Sequence, residues 1–104
     1  MSVVKAKKKK VVVLGFPNPI RMRDKGYVLQ KIYDRAKTNP FIADMTYDDY
    51  LKFLCAEIEK ETEDSVKIHY TATDAIYLEL KRMGWIRVVS RVLMAVSTHE
   101  TYIA

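Results

Sequence analysis

The sequence predicts an α+β fold. Two β-branched apolar runs near its ends, Val11 to Phe16 (VVVLGF) and Ile86 to Val96, read as strands. Between them, apolar residues recur at helical spacing in three separate stretches, with a short alternating stretch before the third. The predicted order is β-α-α-β-α-β, a small mixed β-sheet with helices packed on one face. A winged-helix-like variant is the alternative topology, because a helix-to-strand junction such as KRMGWIRVV also leads into a wing. At 104 residues the chain is the size of one domain, read as a flexible basic tail over 1–10 and a single α+β domain over 11–104.

The elements follow in order. Lysines at 5 and 7–10 repel one another and have nothing to bury, which gives the tail. Val11 to Phe16 is continuous rather than alternating, the pattern of a strand buried on both faces, with Gly15 marking a weak point or a close backbone approach. Phe16-Pro17-Asn18-Pro19 stops it. A helix follows from about Asp24, or from Asn18 in an earlier start. Val28, Leu29, Ile32, Tyr33 and Ala36 form its buried stripe and Asn39-Pro40 is its end.

The second helix opens on Thr46, three residues before Asp49 in capping-box spacing. Tyr47, Tyr50, Leu51, Leu54 and Ile58 form its stripe, with Cys55 beside it. Glu57, Glu59, Glu61 and Glu63 crowd its negative end, which predicts fraying after Lys60 or a basic partner. Val66, Ile68 and Tyr70 alternate with Lys67, His69 and Thr71, as in a half-buried strand. Thr73 is the predicted cap of a third helix striped by Ile76, Leu80 and Met83. Gly84 closes it at the left-handed position, with Trp85 folding back on Leu80. Ile86 to Val96 then reads as one long strand, with Ile86, Val88, Val92, Met94 and Val96 on one face and Arg87 and Arg91 on the other. Thr101 to Ile103 reads as a short returning strand.

Composition narrows the function. With 49% hydrophobic and 30% charged residues the chain is globular in character, and a single cysteine excludes an internal disulfide and most cysteine metal sites. No apolar run approaches the roughly 20 residues that span a bilayer. The expectation is an intracellular, cytoplasmic protein, in host cytoplasm or virion if viral, with no membrane partner. The net charge of +5 is unevenly spread. Residues 1–38 hold 11 Lys/Arg against 2 Asp/Glu, residues 39–64 hold 2 against 8, and residues 65–104 hold 5 against 3. Such a division points to a polyanion on the basic part, or to mutual neutralisation within the fold.

Catalytic patterns are weak. The turn GFPNPIRMRDKG has neither G-x-G-x-x-G nor a GK[ST] ending, and its prolines remove amides a phosphate cradle would use. His69 and His99 have no ligand spacing and read as surface residues, so neither metal nor cofactor is expected. Cys55 has glutamates two and four residues on, which disfavour a thiolate. The predicted function is therefore a small non-enzymatic nucleic-acid-associated protein. It would bind phosphate backbone through Lys7, Lys8, Lys9, Lys10, Arg21, Arg23 and Lys25, assisted by Arg87 and Arg91, with Tyr27 and Tyr33 placed to stack on bases. The alternative is a protein-interaction module, a small viral or regulatory protein docking a partner through its tyrosines and the acidic helix with Glu57, Glu61 and Asp64. Pairing of two copies along the long strand Ile86 to Val96 is a further expectation, since an exposed edge of that length invites pairing.

Overall fold

The structure, a computed structural model, describes residues 9–16, 18–22, 28–96 and 98–103. It is an α+β fold of four helices and two small antiparallel sheets. The elements are β1 (Lys9–Leu14), β2 (Ile20–Arg21), α1 (Val28–Ala36), α2 (Pro40–Ala43), α3 (Tyr47–Glu61), α4 (Thr73–Arg82), β3 (Ile86–Val89), β4 (Val92–Ala95) and β5 (His99–Ile103). β1 pairs with β5, and β2, β4 and β3 form a second sheet in that order. The predicted single mixed sheet is thus two separate antiparallel ones.

The helical stripes bury as their spacing dictates. Val28, Leu29, Ile32, Tyr33 and Ala36 of α1 join Tyr50, Leu51, Leu54 and Ile58 of α3 and Ile76 and Leu80 of α4 in one core. Thr46 caps α3, its Oγ1 accepting from the Asp49 N–H at 3.1 Å. Helix α3 ends at Glu61, one residue past Lys60, and Lys67 supplies a basic partner to Glu59 at 3.8 Å, one of the two outcomes its acidic end predicts. Its acidic end is closed by local bonds, Thr62 Oγ1 donating to the Ile58 carbonyl and the Asp64 N–H to the Glu59 carbonyl. Asn39 does not simply end α1. It also caps the short helix α2, accepting from the Phe41 N–H, with Pro40 in the first turn.

Val11, Val13 and Leu14 of β1 are buried, yet among the described residues the strand has β5 as its one neighbour and is not central. Side chains from the helices satisfy carbonyls along it. Asn39 Nδ2 donates to the Val12 carbonyl at 3.2 Å and the Tyr50 hydroxyl to the Val13 carbonyl at 3.3 Å. Burial holds the Tyr50 phenol far above its ordinary range, so it stays a donor. Gly15 is a close approach: a Cβ there would meet the Thr98 side chain at 3.2 Å. The tail predicted over 1–10 overlaps this strand, since Lys9 and Lys10 belong to it; residues 1–8 lie outside the described set.

Three sequence expectations are corrected. Val66 to Thr71 forms no strand, although Val66, Ile68 and Tyr70 do lie against the core while Lys67, His69 and Thr71 are exposed. Its alternation records two environments, not a hydrogen-bonded neighbour, so no β-α-β crossover forms. Thr73 lies inside α4; Ala72 is the cap residue and makes no side-chain cap bond. The run Ile86 to Val96 is a hairpin rather than one strand. Ser90 and Arg91 take φ of 51° and 63°, and Val89 pairs with Val92 across them, a two-residue type I′ turn. That turn exchanges the faces of the second half. Ile86, Val88, Leu93 and Ala95 turn toward the core, and Arg87, Val89, Val92 and Met94 turn away.

Helix α4 ends as its sequence predicts. Gly84 takes φ 79°, the Gly84 N–H bonds the Lys81 carbonyl and the Trp85 N–H bonds the Leu80 carbonyl, the Schellman pattern. The last segment is a strand, but it pairs with β1. His99 opens that strand and is half-buried against the Trp85 ring, 4.4 Å between centroids, rather than sitting on the surface in a turn.

Two outcomes follow from this packing. Tyr50→Phe deletes the buried hydroxyl that serves β1 and is expected to cost about 1–3 kcal/mol, read from urea unfolding. Desolvation holds the His99 imidazole below its ordinary pKa, outweighing the opposing pull of Glu61. The unfolded chain therefore takes up a proton more readily than the folded one. His99 contributes stability above its unfolded pKa, and this is lost as pH falls from neutral toward 5. His99→Phe is expected to flatten the unfolding midpoint over that interval.

Candidate nucleic-acid interface

The three-stranded sheet turns Ile20, Ile86 and Leu93 into the core and presents its other face to solvent. Pairing fixes what stands on that outer face. Arg21 lies opposite Val92, which lies opposite Val89, and Arg87 lies opposite Met94. Arg21 and Arg87 are both exposed, two strands apart and two residues along, about 12 Å between Cα atoms from ordinary sheet spacings. Arg91 stands at the hairpin tip beside them. Its carbonyl accepts from the Met22 N–H at 2.8 Å, which ties the tip to the end of β2. A shallow groove of about 500 Å³ runs there, lined by Arg21, Met22, Ser90, Arg91 and Val92.

Among the described residues no ion pair engages the cations on this face. Ion pairs among the described residues join Lys10 to Glu100 (3.0 Å), Lys67 to Glu59 (3.8 Å) and Arg82 to Glu79. None involves Arg21, Arg87 or Arg91. The acidic middle of the chain therefore does not neutralise these arginines through contact. A guanidinium with no internal carboxylate keeps its forked donors for an outside anion.

Of the residues expected to bind nucleic acid, the fold thus sets Arg21 and Arg87 on one sheet face and Arg91 in a groove with Arg21. Lys9 and Lys10 lie on the other sheet, and Lys10 is held by Glu100, whose hydrogen-bonded carboxylate raises the amine above its ordinary pKa. Lys7, Lys8, Arg23, Lys25 and Tyr27 lie outside the described residues. Tyr33 does not serve as a stacking platform. It is buried between Tyr47 and Tyr50, with its hydroxyl donating to the Met45 carbonyl. The neighbours that sequence reasoning leaves out are Val89, Val92 and Met94, apolar side chains between the arginines, together with Ser90. Nothing in VVSRVL signals the turn that puts them there.

The acidic alternative is weakened at one of its three residues: Glu57 is buried beside the α3 stripe, whereas Glu61 and Asp64 are exposed. Burial pushes the Cys55 thiol above its ordinary pKa, away from a reactive thiolate. Among the described residues no three His, Cys, Asp or Glu side chains gather as metal ligands, and no helix is long and apolar enough to cross a membrane. Comparison with family models, curated proteins and solved structures gives no match for this chain.

Arginines that serve an external ligand are dispensable to the fold. Arg21→Ala with Arg87→Ala is expected to move stability by no more than about 0.5 kcal/mol in thermal or urea unfolding. A larger loss would assign these side chains a structural role.

Proposed function

We propose that this chain is a small, non-enzymatic nucleic-acid-associated protein that holds a phosphate backbone against the outer face of its β2-β4-β3 sheet. The carrying observation is that Arg21 and Arg87 share the outer sheet face while Arg91 lines a groove with Arg21, none in an ion pair among the described residues. The sequence adds a lysine cluster at 7–10 and Arg23 and Lys25 next to β2 in the chain. Their charges add to the long-range attraction wherever they lie within a Debye length, about 10 Å in 0.1 M salt. Each phosphate contacted releases counterions, so affinity is set chiefly by cation number and ionic strength.

The binding is read by fluorescence anisotropy of a labelled oligonucleotide over a salt series. Affinity is expected to fall steeply with salt. Arg21→Ala with Arg87→Ala is expected to reduce the slope of log K against log salt by about 2, since each duplex phosphate that a cation neutralises adds roughly 0.9 to it. Alanine at Lys7 to Lys10 is expected to weaken association again. Association indifferent to salt, or none at low salt, would remove nucleic acid as the partner.

A further inference from the structure

The tip of the β3–β4 hairpin is built against ordinary turn chemistry. A type I′ turn needs positive φ at both central residues and is therefore normally filled by Asn-Gly, Asp-Gly or Gly-Gly. Here the two positions are Ser90 and Arg91, at φ 51° and 63°, and both are exposed. Two side chains with a Cβ are thus held in the left-handed region, where only small polar residues and glycine settle readily. Such outliers persist where the surrounding structure imposes them, and they concentrate at functional positions. Here the imposing contacts are plain: Val89 pairs with Val92 on one side of the tip, and the Arg91 carbonyl is tied to the Met22 N–H on the other. The result is one arginine projecting from a narrow two-residue tip, beside a groove that also holds Arg21.

We infer that the partner of this surface is a B-form duplex, with Arg91 at the hairpin tip entering the minor groove while Arg21 and Arg87 hold flanking phosphates. This deepens the function proposed above and rests on it. Two observations select a duplex over a single strand. Unpaired bases are held by aromatic stacking, and among the described residues no aromatic side chain stands on this face or lines its groove. A hydrogen-bonded sheet with cations spaced across it fits a fixed backbone better than a strand that must be ordered on binding. The tip matches the groove in size and charge. The minor groove of B-form DNA is about 6 Å wide, too narrow for a helix but open to a single extended side chain. Its potential is most negative where A·T tracts narrow it, which draws arginine in particular. Helix α4 supplies no competing reader, since its first turn carries Asp74 and its Glu79 is bound to Arg82.

The test compares equal-length probes at one fixed low salt: a duplex with a central A·T tract, a G·C duplex, an RNA duplex and the single strands. Each is titrated with the full-length chain and with the Ser90→Asn/Arg91→Gly double variant, which installs the residues the turn favours. The expected order places the A·T duplex about tenfold tighter than the G·C duplex and the single strands, the scale of one arginine contact in the groove. The variant is expected to unfold at higher urea yet bind all duplexes alike, with the A·T preference gone. Arg91→Lys is expected to keep the overall charge and lose most of that preference. Tighter binding of single strands or RNA duplex, or an A·T preference that survives in the variant, would overturn the minor-groove assignment and leave phosphate binding standing. Absence of binding to every probe would instead overturn the function on which it rests.

Discussion

Trp85 is the residue on which the arrangement turns. Its N–H closes the Schellman end of α4 on the Leu80 carbonyl, its own carbonyl accepts from the Val96 N–H, and its buried ring stacks on His99. One residue therefore fixes where the helical layer stops, where the hairpin base closes and where β5 begins. The left-handed Gly84 before it reverses the chain without a steric penalty. Rotate Trp85 out of this position and β3 no longer leaves α4 in the direction that buries Ile86 and exposes Arg87. The orientation of the outer sheet face is thus set from the core side, by packing that has nothing to do with the arginines it displays.

The helical part of the fold is legible in the sequence because its signal is periodic and local. All five stripe residues of α1 are buried, the Thr46 cap is present, and Gly84-Trp85 behaves as the spacing dictates. The strands are legible as apolar segments and not as partners. Pairing is non-local, and neither Val11 to Leu14 nor His99 to Ile103 carries any mark naming the other. Val66 to Tyr70 shows the converse: alternation without strand pairing, in a loop that half-buries every second residue. The hairpin is invisible because Ser90 and Arg91 are not turn-forming residues, so a reading from the sequence gives the faces of β4 the wrong parity. Arg91 nonetheless stands at the same end of the sheet as Arg21, because the turn lifts it there.

Charge segregation along the chain has a spatial counterpart. Ion pairs form between neighbours in space that are mostly near in sequence or register: Glu79 with Arg82, Glu59 with Lys67, Lys10 with Glu100. Such exposed pairs are worth little in stability. None of them reaches the arginines of the small sheet, and Glu57 of α3 is buried. What is left facing outward on the small sheet is an apolar strip, Val89, Val92 and Met94, bounded by cations. An apolar strip alone would invite another protein. Bounded in this way, it is the surface on which the proposed phosphate-backbone contact rests.

The strain at the hairpin tip and the charge of the face belong to one account. A left-handed conformation costs an ordinary residue about 1–2 kcal/mol, a sizeable fraction of what a domain of this size retains. An Asn-Gly tip would relieve it with no change to the core, because Ser90 and Arg91 are both exposed and the tip's backbone is tied to the end of β2. The tip carries a long exposed cation while its backbone stays anchored to Met22. In the minor-groove reading proposed above, that cation is the reason a strained pair stands where Asn-Gly would be more stable.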